Sequence, residues 1–162
     1  MLTPLGSLTT VTSLPAYELA EYCYYRMFTF CVSLTNLPEL PEFSSLAKGC
    51  FKSMFQYCYA LETAPVLWVQ SLAADCFAGM FYSCTNLSSV TLVIDDPEIG
   101  ESFNPESYFL NWLNGAGTKA DSPQLYLGGN IESYYGYLSS INSEYLNNDN
   151  YFPANWSVQR LE

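Results

Sequence analysis

The sequence predicts an α/β solenoid, a right-handed coil of short parallel strands and amphipathic helices with a C-terminal capping unit. Three observations point there. One segment recurs as LAEYCYYRMFTFCVSL from Leu19, LAKGCFKSMFQYCYAL from Leu46 and LAADCFAGMFYSCTNL from Leu72, at periods of 27 and 26 residues, and a period in this range marks a repeat architecture. Within each period the apolar spacing changes from four residues to three, as an alternation of two element types requires. The 162 residues are 49% apolar and 13% charged, and a chain of this length buries about 70% of its surface on folding.

Taken in chain order, Leu2 and Leu5 fall in the register of Phe28 and Cys31, so the sequence begins as a truncated helix covering the first edge of the coil. Leu8, Val11 and Leu14 repeat the spacing of Leu34, Leu37 and Leu40 and predict a first strand. In the three full copies, Leu19, Cys23, Met27 and Cys31, then Leu46, Cys50, Met54 and Cys58, then Leu72, Cys76, Met80 and Cys84, stand four apart. That spacing places them on one helical face. A second row beside it holds Ala20, Tyr24 and Phe28, Ala47, Phe51 and Phe55, and Ala73, Phe77 and Phe81. Glu21, Arg26, Lys48, Lys52 and Asp75 lie off both rows, which leaves a broad apolar stripe facing inward. Between the helices, residues 34–40, 61–67 and 87–93 read as strands, stacked about 4.8 Å apart into a parallel sheet. A strand and a helix per period is the leucine-rich-repeat kind of superhelix.

From Val93 the repeat stops, so residues 1–92 form the repeat array and 93–162 a cap packed on it as one domain. The loop IDDPEIGESF gathers Asp95, Asp96, Glu98 and Glu101. It lacks the ligand spacing of an EF-hand and reads as a solvated acidic loop, with calcium the alternative. Asn104 and Pro105 supply a helix start, Phe109, Trp112 and Leu113 its apolar face, and Gly115 its stop. Gln124 to Leu127 reads as a strand. Asn130 then opens a tyrosine-rich amphipathic helix through Ile131, Tyr134, Tyr135, Leu138, Ile141 and Tyr145, interrupted by Gly136. Asn147 to Asn150 is a turn, and Trp156 and Val158 mark a last strand.

The six cysteines are two per copy in three copies, so their even number carries no information about pairing. Cys23 and Cys31, eight residues apart on one helix, would be about 12 Å apart, and thiols on neighbouring helices about 8 to 10 Å apart. Both exceed the roughly 7 Å limit for a disulfide, so six free, buried thiols are expected. With no CxxC and no histidine, a zinc site has no ligand set, and neither metal nor cofactor is expected.

Composition also narrows function. A net charge of -11 repels phosphate backbones and anionic headgroups, which argues against nucleic acid and membrane partners. No apolar run approaches the roughly 20 residues of a bilayer span. The absence of histidine removes the usual general base and every imidazole-dependent triad. Fourteen tyrosines favour recognition, because tyrosine is enriched at binding surfaces. Tyr22, Tyr25, Tyr57 and Tyr82, with Phe30, lie off the buried rows, and Tyr134, Tyr135 and Tyr137 lie in the cap; the tyrosines are the candidate contact residues. Small polar columns, Thr9, Thr35, Glu62 and Ser88 beside Thr10, Asn36, Thr63 and Ser89, would line the concave sheet.

The repeats, with their connecting NLPELP and TAPVL, resemble the BspA-like leucine-rich-repeat proteins, in particular the forms of gut Bacteroidetes and associated phages. The likeness spans residues 8–127; NWLNGAG and FPANWSVQ are similar to the unit that ends such arrays, whereas 126–150 departs from the pattern. The resemblance implies surface-displayed adhesion or interaction without catalysis. MLTPLGSLTTVTSLP has neither a basic start nor a continuous apolar stretch, so an export signal was either removed or never present.

The expected function is therefore a non-enzymatic module that binds protein or glycan, or that assembles, on a bacterial surface or a phage virion. A fibre, tail or decoration protein with no role outside the virion is one alternative. A glycosidase using Asp95 and Glu101 is another, since paired carboxylates need no histidine. Self-association through an open edge of the coil or the tyrosine-rich insertion is a further expectation.

Overall fold

A computed structural model of the protein describes residues 5–14, 18–96, 105–129 and 148–161. The leucines and β-branched residues that alternate with polar ones build an open sheet of four parallel strands in the order β1-β2-β3-β4. These are β1 (Leu67–Val69), β2 (Ser89–Ile94), β3 (Gln124–Gly129) and β4 (Ser157–Arg160). Val90, Leu92 and Ile94 of β2 and Leu125 and Leu127 of β3 are buried while the intervening side chains are partly exposed, as a period of two dictates. The expected strands at 87–93 and 124–127 and the last strand at Val158 are present. The segments at 8–14 and 34–40 form only single parallel bridges, Thr10 with Asn36, and 61–67 forms a bridge at Thr63 before β1 begins at Leu67.

The largest correction concerns the expected helices. The described residues contain one α-helix, α1 (Pro105–Phe109), and one 3-10 turn, Leu5–Ser7; the three repeated segments are ribbons of successive turns. Every fourth residue takes a left-handed backbone conformation: Tyr22, Arg26 and Phe30, then Gly49, Ser53 and Tyr57, then Asp75, Gly79 and Ser83. The amides alternate in use. Cys23, Tyr25, Met27 and Thr29 donate three residues back, to Ala20, Tyr22, Tyr24 and Arg26, while the residues between them donate to the next repeat.

That second set forms a ladder. The N–H groups of Tyr22, Tyr24, Arg26, Phe28 and Phe30 donate to the carbonyls of Lys48, Cys50, Lys52, Met54 and Gln56 at 2.9–3.1 Å. The second copy donates in the same way to Ala74, Cys76, Ala78, Met80 and Tyr82. The third donates to Ser107, Tyr108, Leu110, Trp112 and Asn114, so the ribbon continues past the last Leu-Ala-Cys motif into residues 107–115. An α-helix uses all its amides internally and could not form this ladder.

The ladder sets the core. Because the ribbon repeats every four residues and not every 3.6, the four-spaced rows stay in register along its whole length. Stacked rings run through the repeats: Tyr24, Phe51, Phe77 and Phe109 with centroids 5.8, 6.0 and 5.5 Å apart, and Phe28, Phe55 and Phe81 at 5.6 and 5.7 Å. Their planes lie within 15° of parallel. Met54 and Met80 are fully buried in the same layer. Met27, expected on the buried face, is 44% exposed; among the described residues its ribbon has a ladder partner on one side only.

At the other end the C-terminal residues close the stack. Trp112 Nε1 donates to the Tyr151 carbonyl at 2.7 Å, and Asn155 Nδ2 and Trp156 Nε1 both reach the Ala116 carbonyl. Phe109, Trp112 and Leu113 are fully buried as expected, but the helix expected to reach Gly115 ends at Phe109 and gives way to turns at Asn111 and Gly115. Asn104, the expected helix cap, and the expected helix from Asn130 to Tyr145 lie outside the described residues, as does Leu2. The expected turn at 147–150 is described from Asn148 onward, where the Asn150 N–H donates to Asn148 Oδ1.

Candidate functional surface

All six cysteines are unpaired, as expected, though for a different geometric reason. Residues paired across a ladder lie about 4.8 Å apart, inside the disulfide range, so spacing alone does not keep the columns Cys23, Cys50, Cys76 and Cys31, Cys58, Cys84 apart. Hydrogen bonds and burial hold the thiols. Cys58 Sγ donates to the Phe28 carbonyl at 3.2 Å and Cys84 Sγ to the Phe55 carbonyl at 3.0 Å. Burial pushes the Cys50 and Cys58 thiols up to about 12, and those of Cys76 and Cys84 well above the ordinary thiol value, which keeps them protonated and chemically quiet.

The candidate tyrosines fall into two groups. Tyr57 and Tyr82 lie on the outer side of the ribbon in one aromatic column with Phe30. Phe30 stacks on Tyr57 at 4.5 Å and 18°, and Tyr82 meets Tyr57 edge-on at 5.5 Å. The column forms because position 30 and its equivalents are ladder neighbours, and it leaves Phe30 53% exposed. Tyr22 and Tyr25 sit instead at the edge of the first repeat, edge-to-face at 5.9 Å, and both are exposed. Arg26 lies 5.8 Å above the Tyr25 ring. Tyr134, Tyr135 and Tyr137 lie outside the described residues.

Two exposed aromatics escaped the sequence reading. Tyr59 borders the column, 6.2 Å from Tyr57; its signal was the position directly after the second cysteine of the copy. Trp68 stands on the outer face of β1 between buried Leu67 and Val69 and donates its Nε1 proton to Asp95 Oδ2 at 3.1 Å. The strand alternation Leu-Trp-Val was the available signal.

The polar columns pair in part: Thr35 lies beside Thr9, Ser88 beside Glu62, Asn36 beside Thr10 and Ser89 beside Thr63. Their hydroxyls serve the ladder. Thr35 Oγ1 donates to the Thr9 carbonyl and Ser88 Oγ to the Glu62 carbonyl, so both protons are engaged. A shallow groove of about 650 Å³ runs along Thr12, Ser13, Leu14, Pro38, Glu39, Leu40 and Pro41. Of the carboxylates considered for glycoside chemistry, Asp95 is exposed and bonded to Trp68, while Glu98 and Glu101 lie outside the described residues. Among the described residues no cluster of metal-ligating side chains occurs, and no helix is long and apolar enough to cross a membrane.

Comparison with protein-family models, with curated proteins and with solved structures finds no match.

Proposed function

We propose that the chain is a non-enzymatic recognition or assembly module, built as a solenoid of the leucine-rich-repeat kind and displayed on a bacterial surface or a phage virion, where it contacts protein or glycan. The observation that carries this reading is the outer aromatic column. Phe30, Tyr57 and Tyr82 are placed side by side by the ladder, and together with Tyr59 they leave a continuous, partly exposed aromatic strip. Exposed aromatics in a contiguous patch mark interaction surfaces more often than isolated ones do. Phe30 stacks on Tyr57 while Tyr82 stands edge-on to it and Tyr59 is tilted, so the strip offers a partner both ring faces and ring edges.

Co-sedimentation of the chain with bacterial cells and with purified virions tests the reading. Retention is expected to fall at least fivefold in Tyr57→Ala/Tyr82→Ala while the fold is kept. Hydrolysis of glycans that is lost in Asp95→Asn would overturn it in favour of a carboxylate-dependent glycosidase.

A further inference from the structure

The outer face of the ribbons sinks at the third copy. Ladder neighbours place Arg26, Ser53, Gly79 and Asn111 in one outer column, and Tyr25, Lys52, Ala78 and Leu110 in the column beside it. The third copy alone fills both columns with small side chains, Ala78 and Gly79. The result is a dent of about 190 Å³ between the second copy and residues 107–115. It lies inside the stack, because the floor residue Gly79 donates to the Leu110 carbonyl on one side while the Ala78 carbonyl accepts from Ser53 on the other.

The lining has two characters. The second copy contributes the polar side chains Lys52, Ser53 and Gln56; the Tyr82 ring and the Leu110 side chain, which is 40% exposed, form apolar walls, and the Asn111 amide completes the rim. Lys52 is the charged side chain in this lining, and its Nζ donates to Asp75 Oδ2 at 3.1 Å, which offsets its charge. Arg26 stands one ladder step beyond Ser53, outside the lining, over the Tyr25 ring. Among the described residues, the Gln56 amide and the Tyr82 hydroxyl have no hydrogen-bond partner. Tyr82 meets Tyr57 edge-on and so is not covered by it as Tyr57 is by Phe30.

We propose that this dent binds one neutral pyranose ring of a glycan. The proposal rests on the recognition reading above and deepens it by naming a ligand class and a site beside the aromatic column. Size sets the first limit: drug-sized ligands occupy about 300–1,000 Å³, so this dent takes a single ring. Chemistry sets the second. A pyranose carries C–H groups on its faces and hydroxyls around its rim, which matches a Tyr82 and Leu110 wall facing hydroxyl and amide groups that can both donate and accept. An apolar peptide side chain would bury the Gln56 amide without a partner, at a cost. An anion would have to compete with Asp75 for Lys52, and a cation would meet the Lys52 ammonium.

The probes are the methyl pyranosides of glucose, galactose, mannose and N-acetylglucosamine, offered to the full chain in saturation-transfer NMR. At least one should give a saturable signal that drops at least fivefold in Gln56→Ala and in Leu110→Asp and is unchanged in Val66→Asp, an exposed position outside the lining. Protection of the native thiols from alkylation checks that each variant is folded. No signal from any probe, a signal indifferent to both lining variants, or equal loss in Val66→Asp would overturn the proposal. Retention on cells that falls in the two lining variants yet survives periodate oxidation of cell-surface diols would also overturn it and would name protein as the occupant. A chain that binds a pyranoside but neither cells nor virions keeps the dent and loses the proposed function. Retention on cells that Tyr57→Ala abolishes, without any pyranoside signal, does the opposite.

Discussion

Cys84 shows how a single residue is fitted to this fold. Its side chain is fully buried and its thiol donates to the Phe55 carbonyl of the preceding repeat, so a small sulfur fills a core position and also ties two units together. Its neighbours Cys58 and Cys50 are buried likewise, with thiols pushed up to about 12. In the unfolded chain a thiol ionises near 8.5. The folded value is the higher one, so folding favours the neutral thiol; the stabilisation is complete below about pH 8 and is lost as pH rises toward 12. Stability should therefore fall as pH rises above about 9, with Cys50, Cys58, Cys76 and Cys84, whose thiols are pushed furthest up, contributing most. Urea unfolding midpoints at pH 7.5 and pH 10 measure this, and Cys84→Ala should reduce the difference without abolishing it. That the thiols are free was expected from helix spacings that the turn ribbon does not have. That they serve as hydrogen-bond donors was not, because their acceptors sit 29 or 30 residues away.

The turn ribbon is the element the sequence concealed. Apolar rows at four-residue spacing suit a helix and a turn ribbon equally, and both bury the same side chains, so Phe51, Phe55, Phe77 and Phe81 were legible as core whichever backbone carried them. One difference was visible. Three successive steps of four residues drift about 120° around an α-helix, yet Leu46, Cys50, Met54 and Cys58 are all buried. The residues at every fourth outer position from the second copy on, Gly49, Ser53, Tyr57, Asp75, Gly79, Ser83, Asn111 and Gly115, are mostly types that tolerate the left-handed region, Tyr57 being the bulky exception. The first copy departs, placing Tyr22, Arg26 and Phe30 there. Arg26→Gly should therefore stabilise the chain by about 0.5–1 kcal/mol, net of its lost contact with Tyr25. Gly79→Ala should cost about 1–2 kcal/mol, since its backbone is left-handed and a methyl there would lie 3.1 Å from Ser53 Oγ. Thermal melts of the two variants against the parent check both signs.

Across the whole molecule, burial rises from the first repeat to the third. Tyr24 and Cys31 are buried in the first ribbon while Met27 and Phe30 are exposed; in the third, Cys76, Phe77, Met80, Phe81 and Cys84 are all fully buried. Each unit depends on its neighbours for shielding, and among the described residues the first has a neighbour on one side of its ribbon only. Native-state hydrogen exchange should therefore give the N–H groups of Phe51, Phe55 and Phe81 protection at least tenfold above those of Tyr25 and Met27; uniform protection would contradict the dependence of each unit on its neighbours. The order of the units was legible because the copies are nearly identical and consecutive. The continuation of the ladder into residues 107–115 was not, because that unit keeps only the first aromatic position, at Phe109, places Trp112 where the copies have Met and Leu113 where they have the second Phe, and has none of the Leu-Ala-Cys signature.

The four-residue rhythm also restricts how such a chain can change length. One residue added inside a ribbon would turn every later core side chain toward solvent and move every later amide off its acceptor, so tolerated insertions there should come in whole turns of four. The pairing of Thr63 with Ser89, 26 positions on, and of Ser89 with Gln124, 35 positions on, agrees with this. The ribbon at 107–115 keeps its bonds to the third copy, and the extra sequence falls in the connections. Growth of the protein is thereby confined to its loops, where new surface can be added without disturbing the stack.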